Sequence, residues 1–240
     1  MSGAELLGKE RGSMSKVLIV EDDHDLSMIT RENMRQAGYT ADQAYTCAQA
    51  LDLLGMYEYD LVLLDEMLPD MRGSQLCRVV REKCICPIIF MSCFSDSDTI
   101  INALQCGGDD YMVKPINYRE LIARVEAVKR RSERFREKEK QETERVFLHF
   151  TLDAQHHRLK RDGEELELSS TEYALLDYMI HRPDTLLLYR ELYENVWGSD
   201  SLGDVRTIMV HISNLRKKLD PDRTGIIQTV RGAGYIFSDV

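Results

Sequence analysis

The chain has no apolar run approaching the roughly 20 residues that a bilayer-spanning helix needs. Residues 1–15 lack the apolar core and cleavage pattern of a signal peptide. A soluble, cytoplasmic protein with no membrane partner is expected. Met14 is an alternative start to Met1, because the patterned sequence begins just after it. Net positive charge is also missing: the formal charge is −10, which on its face argues against a nucleic-acid partner. The second half has no cysteine at all. Cys47, Cys77, Cys84, Cys86, Cys93 and Cys106 are irregularly spaced and mostly in apolar surroundings, so they read as reduced, buried small side chains. Cys84-Ile85-Cys86 could bind a metal or cycle its redox state, but no second pair or histidine completes a site.

The deficit of positive charge is uneven. Val205–Leu219 holds Arg206, Arg216, Lys217 and Lys218 and no acid, a basic element inside an acidic chain. Such local concentration is what attraction to phosphates requires.

Two ordinary domains fit the length. In the first, 16–20, 61–64, 87–91 and the shorter 111–113 are continuous apolar runs, as strands buried on both faces should be. Helical patterns at 25–37, 46–56, 74–83, 98–106 and 118–129 alternate with them. The expectation is an α/β domain over 16–130, a parallel sheet with helices on both faces and its site at the carboxyl ends of the strands. Residues 130–144 are nearly all charged, and a linker is expected over 131–144. The pattern then changes to an α+β domain over 145–240. Strands are expected at 146–152, 156–160 and 164–168, with a tight turn at Asp162-Gly163. A capping box at Ser169 and Glu172 opens a helix to about His181. Helices at 189–197, stopped by Gly198, and 205–219, capped by Asp204, precede a hairpin of 226–230 and 235–237.

The strand ends carry the chemistry. Glu21-Asp22-Asp23, Asp65, Ser92 and Lys114-Pro115 each end an apolar run, so carboxylates converge beside one hydroxyl and one ammonium. Clustered carboxylates stay ionised only with a cation between them. Mg²⁺, a hard ion held by a few carboxylates, waters and a phosphate, fits that description. An ionised aspartate in such a pocket can attack a phosphoryl group and become an aspartyl phosphate. The metal, Lys114 and Ser92 would neutralise the phosphoryl oxygens. A strand-end Lys114 that turns back into the pocket also predicts a cis Lys114–Pro115 bond, since X–Pro is the class in which cis is cheap.

Glu21-Asp22, Leu-Leu-Asp65-Glu-Met-Leu-Pro69, Met91-Ser92 and Asp109-Asp110-Tyr111-Met-Val-Lys114-Pro115, in this order, resemble the response-regulator receiver family in the subfamily with winged-helix effectors. The resemblance covers residues 16–240. It implies a flavodoxin-like, doubly wound five-stranded parallel sheet followed by a winged helix-turn-helix. It further implies Asp65 as phospho-acceptor, Mg²⁺ on Glu21, Asp22, Asp65 and the Met67 carbonyl, phosphate contacts from Ser92 and Lys114, and a Ser92–Tyr111 switch. A sensor histidine kinase would be the phosphodonor, and the protein itself no enzyme beyond assisting its own phosphotransfer. Phosphorylation would favour a homodimer through Asp109, Asp110, Glu120 and Arg124. Promoter DNA is the implied target, with RNA polymerase as a further partner. Two departures stand out. Cys93 and Phe94 follow the switch hydroxyl where the family has alanine and often a polar residue, so slow phosphate loss is expected from shielding by Phe94. Ile100 takes the place of a basic residue on the dimer face.

Val205, Ile208, Ile212, Leu215 and Leu219 form one apolar stripe of the 205–219 helix. The opposite face carries Arg206, Thr207, Val210, Ser213, Asn214 and Lys217, with His211 and Lys218 beside them. A helix of this width fits the major groove. Lysine and arginine would hold phosphates, Asn214 could pair with adenine, and Val210 and the Thr207 methyl could touch a thymine methyl. By resemblance, Arg231 belongs to the hairpin that enters the minor groove. Two rival readings are a DNA binder with an unphosphorylated receiver and a Mg²⁺-dependent phosphohydrolase. The complete Asp65, Ser92 and Lys114 set opposes the first, and the basic helix is unexplained by the second.

Overall fold

The computed structural model describes residues 15–82, 86–138, 144–153, 158–198, 204–221 and 225–238. Met1, Met14, Cys84 and the end of the expected linker lie outside them. The first domain alternates β1 (Lys16–Val20), α1 (His24–Gln36), β2 (Thr40–Ala44), α2 (Cys47–Met56), β3 (Leu61–Asp65), α3 (Gly73–Arg81), β4 (Ile88–Ser92), α4 (Ser97–Gln105), β5 (Asp110–Val113) and α5 (Tyr118–Lys138). The five strands are parallel in the order β2-β1-β3-β4-β5. Period-2 alternation divides the apolar strands between two cores. Val17, Ile19, Leu61 and Leu63 face α1 and α5 through Met34, Leu121 and Val125. Leu18, Val20, Val62 and Leu64 face α2, α3 and α4 through Ala50, Leu76 and Leu104. Because β1 and β3 are the central neighbours of this order, their carboxyl ends lie side by side, and β4 and β5 follow on the same flank. Helix α5 continues to Lys138, well into the stretch expected as linker.

The second domain begins with an antiparallel sheet of β6 (Glu144–Val146), β7 (Thr151–Asp153), β8 (Arg158–Arg161) and β9 (Glu164–Glu167). The expected single strand over 146–152 is two strands. The Phe147 N–H donates to the Phe150 carbonyl at 2.8 Å, and their rings stack at 4.6 Å, which folds the run back on itself. Asp162 and Gly163 both take positive φ, as a tight hairpin turn requires. Then come α6 (Ser170–Ile180), β10 (Leu187–Leu188), α7 (Tyr189–Trp197), α8 (Val205–Leu219), β11 (Ile227–Val230) and β12 (Gly234–Phe237). The Ser169–Glu172 capping box opens α6, Gly198 at φ +98° stops α7, and the Asp204 side chain caps α8. Ile208, Ile212, Leu215 and Leu219 close the core of this domain. Val205, expected in that stripe, is exposed, because α8 reaches past the core at its first turn. No helix among the described residues is long and apolar enough to cross a membrane.

Candidate functional site

The strand ends bring the expected pocket together. Ligand atoms of Glu21, Asp22 and Asp65 lie within 4.8 Å of one another. Glu21 and Asp65 are buried, and Asp22 is exposed at the rim. Asp23, the third acid of the run, takes no part: its carboxylate caps α1, accepting from the Asp25 and Leu26 N–H groups at 3.0 Å. Lys114 Nζ donates to Asp65 Oδ2 at 2.6 Å and to Glu21 Oε1 at 2.9 Å. The Lys114–Pro115 bond is cis. The Met67 N–H donates to Asp65 Oδ1 at 3.0 Å, which holds the carboxylate's orientation. Burial, with Asp65's charge beside it, pushes the Glu21 carboxyl up to about 7 against the pull of Lys114. Burial opposes the Lys114 charge, but its hydrogen bonds to Asp65 and Glu21 raise its pKa all the same. The pocket thus holds more negative charge than its one ammonium balances. Glu21 Oε2 lies 2.7 Å from that ammonium without making a hydrogen bond. Three converging carboxylates with spare lone pairs are a hard-oxygen donor set, and they fit Mg²⁺.

Sequence reasoning missed one residue here. A Cβ on Gly73 would lie 2.1 Å from the Asp65 carbonyl oxygen. The Gly73 N–H donates to the Glu66 carbonyl at 3.0 Å, and buried Glu66 accepts from the Ser74 N–H and hydroxyl at 2.8 and 2.9 Å. Helix α3 is therefore pinned against the end of β3. A glycine directly before a helical pattern, eight residues past Asp65, was the available signal.

Ser92 is fully buried, and its Oγ accepts from the Phe94 N–H at 3.3 Å. The Tyr111 hydroxyl donates to the Phe94 carbonyl at 2.8 Å, and its ring packs inward near Phe90. Phe94 thus ties Ser92 and Tyr111, the pair expected to act as a switch, together through its backbone. Its ring is half-buried, with the Arg72 guanidinium 5.9 Å from the centroid. Cys93 is exposed.

The expected DNA-reading face of α8 is turned toward the first domain. Thr207, Val210 and His211 are buried, and Val210 joins the core cluster of Ile100, Ala103, Leu104 and Tyr111. Burial of a valine contributes about 1.5–3 kcal/mol to a contact. Asn214 Nδ2 donates to the Leu104 carbonyl at 3.4 Å, and Arg206 Nη1 to Ser97 Oγ at 2.6 Å. Ser213 and Lys218 are half-buried, the latter paired with Glu172 at 2.6 Å. Lys217 and Arg231 stay exposed.

The residues expected on a dimer face are engaged within the chain. Asp109 is fully buried. Its Oδ2 accepts from Arg81 at 2.6 Å and from the Ile88 N–H at 2.9 Å. Its Oδ1 accepts from the Ser170 hydroxyl at 2.8 Å and the Thr171 N–H at 3.0 Å, both at the start of α6. Asp110 pairs with Arg124 at 2.5 Å; Arg124 also binds Glu120 and donates to the Tyr193 hydroxyl at 3.2 Å. Ile100, on α4, is buried in the core cluster that Val210 joins.

Family comparisons agree with this two-part organisation. Residues 17–126 match the response regulator receiver domain, and residues 163–237 match the model described as transcriptional regulatory protein, C terminal. The transcriptional regulatory protein ResD of Bacillus subtilis is 34% identical, with 93% of this chain and 95% of the relative covered. The response regulator ArlR of Staphylococcus aureus is 34% identical, covering 93% of this chain and all of the relative. A solved structure of a RitR mutant superposes with a TM-score of 0.79 at 25% identity, over 94% of this chain and 100% of that one. With both domains matched and relatives aligned nearly end to end, the chain belongs to the two-component response regulators that join a receiver to an OmpR/PhoB-type transcriptional effector.

Proposed function

We propose that Asp65 accepts a phosphoryl group from the phosphohistidine of a partner sensor kinase, and that this controls how tightly the effector binds promoter DNA. The observation that carries the reading is the Asp65–Lys114 contact at 2.6 Å inside a cluster of three carboxylates. A carboxylate oxygen of Asp65 forms the new O–P bond as the N–P bond of the donor breaks. Lys114 holds charge on the entering phosphoryl oxygens, and Ser92 offers its hydroxyl. Glu21, Asp22, Asp65 and the Met67 carbonyl would hold Mg²⁺, which neutralises charge that would otherwise repel the incoming phosphate.

Regulation follows from the surface that α8 occupies. Thr207, Val210 and His211 cannot reach a base edge while they are buried in this arrangement. The closed arrangement also uses Asp109, Asp110 and Arg124, the residues a receiver homodimer would use. Phosphorylation then favours the open, paired state over the closed one by a shift in population. Two effector domains on adjacent half-sites gain affinity through effective concentration. Cytoplasmic DNA is the expected setting, with RNA polymerase as a further partner. The test is intact-mass analysis after treatment with a small-molecule phosphodonor and Mg²⁺. One phosphoryl group is expected on the wild type, none on Asp65→Asn and none without Mg²⁺. Equal labelling of the two proteins would refute the assignment.

A further inference from the structure

Two buried cysteines lie together away from the Asp65 pocket. Cys77, in the middle of α3, and Cys106, the C-cap of α4, are both buried in one core cluster. Cys77 Sγ donates to the Cys106 carbonyl at 3.4 Å, and Cys106 Sγ donates to the Ala103 carbonyl at 2.9 Å, so the two cysteines are immediate neighbours. Cys106 in addition lines a cleft of about 300 Å³ between the domains, among Arg81, Gln105, Leu168, Asn214 and Lys217. A small solute can therefore reach the Cys106 position, and Cys77 lies beside it in the core as a ready partner. We propose that Cys77 and Cys106 form an oxidation site, in which a hydroperoxide entering the cleft converts Cys106 to a sulfenic acid and Cys77 resolves it to an intramolecular disulfide.

The two thiols are not equivalent. The hydrogen bond from Cys77 holds the Cys106 thiol below its ordinary value despite burial, helped by the Gly108 N–H and the charge of Arg78. The same hydrogen bond and burial push Cys77 up. Cys106 is thus the more readily ionised, and the thiolate is the nucleophile. Its sulphur attacks one peroxide oxygen, the O–O bond breaks, and the other oxygen leaves as water or an alcohol after taking a proton. Cys77 sulphur then attacks Cys106 sulphur. The S–O bond breaks, hydroxide leaves with the Cys77 proton as water, and the S–S bond forms. Two thiols have lost two electrons, and the peroxide has gained them. To form the bond the neighbouring sulphurs must close to about 2.05 Å. The bond would tie the end of α4 to α3, next to the Leu104 carbonyl that receives Asn214 and three residues from Asp109. An oxidant signal would thereby reach the contact between the domains.

The exposed thiol Cys93 is the natural competitor, so the experiment uses the full-length protein in a Cys93→Ser background as well as the wild type. Folded protein is treated with hydrogen peroxide, blocked with an alkylating reagent under denaturing conditions, and mapped by peptide mass. A linked Cys77–Cys106 peptide is expected as the main product. Cys77→Ser should trap a dimedone-reactive sulfenic acid at Cys106, formed at least tenfold faster than any at Cys77 in Cys106→Ser. Recovery of Cys77 and Cys106 as free thiols from folded, peroxide-treated protein would overturn the proposal. So would a linked peptide that forms only after denaturation. If a serine variant fails to fold, the wild-type map alone decides.

Discussion

Asp109 of the receiver accepts a hydrogen bond from the Thr171 N–H at 3.0 Å, so a carboxylate from one domain sits at the N-terminus of a helix in the other. An anion there is favoured by the unpaired N–H groups and the dipole of α6. The helix has its own cap in Ser169 and does not need Asp109 to form. The contact therefore joins the two domains and is not needed to start the helix.

Ser170→Ala tests that separation. Its hydroxyl donates to Asp109 Oδ1 at 2.8 Å, while Arg81, Ile88 and Thr171 keep their own bonds to the same carboxylate. Loss of a hydrogen bond to a charged group costs about 1.5–3 kcal/mol. Nearly all of it should fall on the closed state. Unphosphorylated Ser170→Ala is expected to show a larger radius by small-angle scattering and roughly tenfold tighter DNA binding, with the melting of the effector unchanged. A compact variant with wild-type DNA affinity would remove Asp109 from the regulatory account.

Gly73→Ala probes the pocket from behind. The added methyl would meet the Asp65 carbonyl oxygen at 2.1 Å, and the nearest atoms are all main chain of Asp65 and Glu66, which leaves little room to yield. Overpacking of this kind costs about 1–3 kcal/mol. A lower midpoint in urea is expected, together with slower phosphorylation of Asp65, because the end of β3 must shift. Unchanged labelling kinetics would mean that α3 moves instead.

Much of this was legible in the sequence. The acids, Ser92 and Lys114 stand out because each ends an apolar run, and parallel strands align such ends. Two features of the fold were not legible. Strand β2, Thr-Ala-Asp-Gln-Ala, is a half-exposed edge with no apolar run or alternation to reveal it. The turn between Phe147 and Phe150 is hidden because both aromatics also suit a strand. The contact between the domains was harder still. Helix α8 has two faces with partners, and Thr207, Val210 and His211 suit a thymine methyl or a neighbouring domain equally well. Periodicity identifies the stripe of Ile208, Ile212 and Leu215, but it cannot say that the opposite face is also covered.

Phe94→Arg addresses the lifetime of the phosphorylated state. The Phe94 backbone joins Ser92 and Tyr111, and its half-buried ring stands near Arg72, two residues past the pocket's Ser92. A large apolar ring there would exclude water from the phosphoryl group. Replacement by a polar side chain should shorten the half-life of phospho-Asp65 severalfold, while the Ser92 and Tyr111 contacts survive because they use the main chain. A half-life equal to wild type would show that the ring does not shield the acyl phosphate.

Asn214→Ala and Lys217→Ala are expected to separate base reading from phosphate attraction, and the contact between the domains gives each a distinct signature. Lys217 is exposed in this state, so its loss leaves the domain contact alone. Lys217→Ala should weaken operator and scrambled DNA alike and reduce the slope of log affinity against log salt by roughly 0.9. Asn214 donates to the Leu104 carbonyl when closed, a long bond at 3.4 Å. Asn214→Ala therefore has two opposed effects. Loss of that bond favours opening and slightly tightens binding to every sequence. Loss of a bidentate adenine contact would cost about 1–3 kcal/mol at one base pair only. The second effect exceeds the first, because a neutral hydrogen bond contributes about 0.5–1.5 kcal/mol at best geometry and this one is stretched. The expected result is weaker operator binding, unchanged or marginally tighter scrambled binding, and an intact salt slope. Phosphorylated protein is expected to give the cleaner measurement, because phosphorylation would depopulate the domain contact. If Asn214→Ala weakens both DNAs equally in the phosphorylated protein, specificity belongs to Ser213, Val210 or Thr207 on the same face.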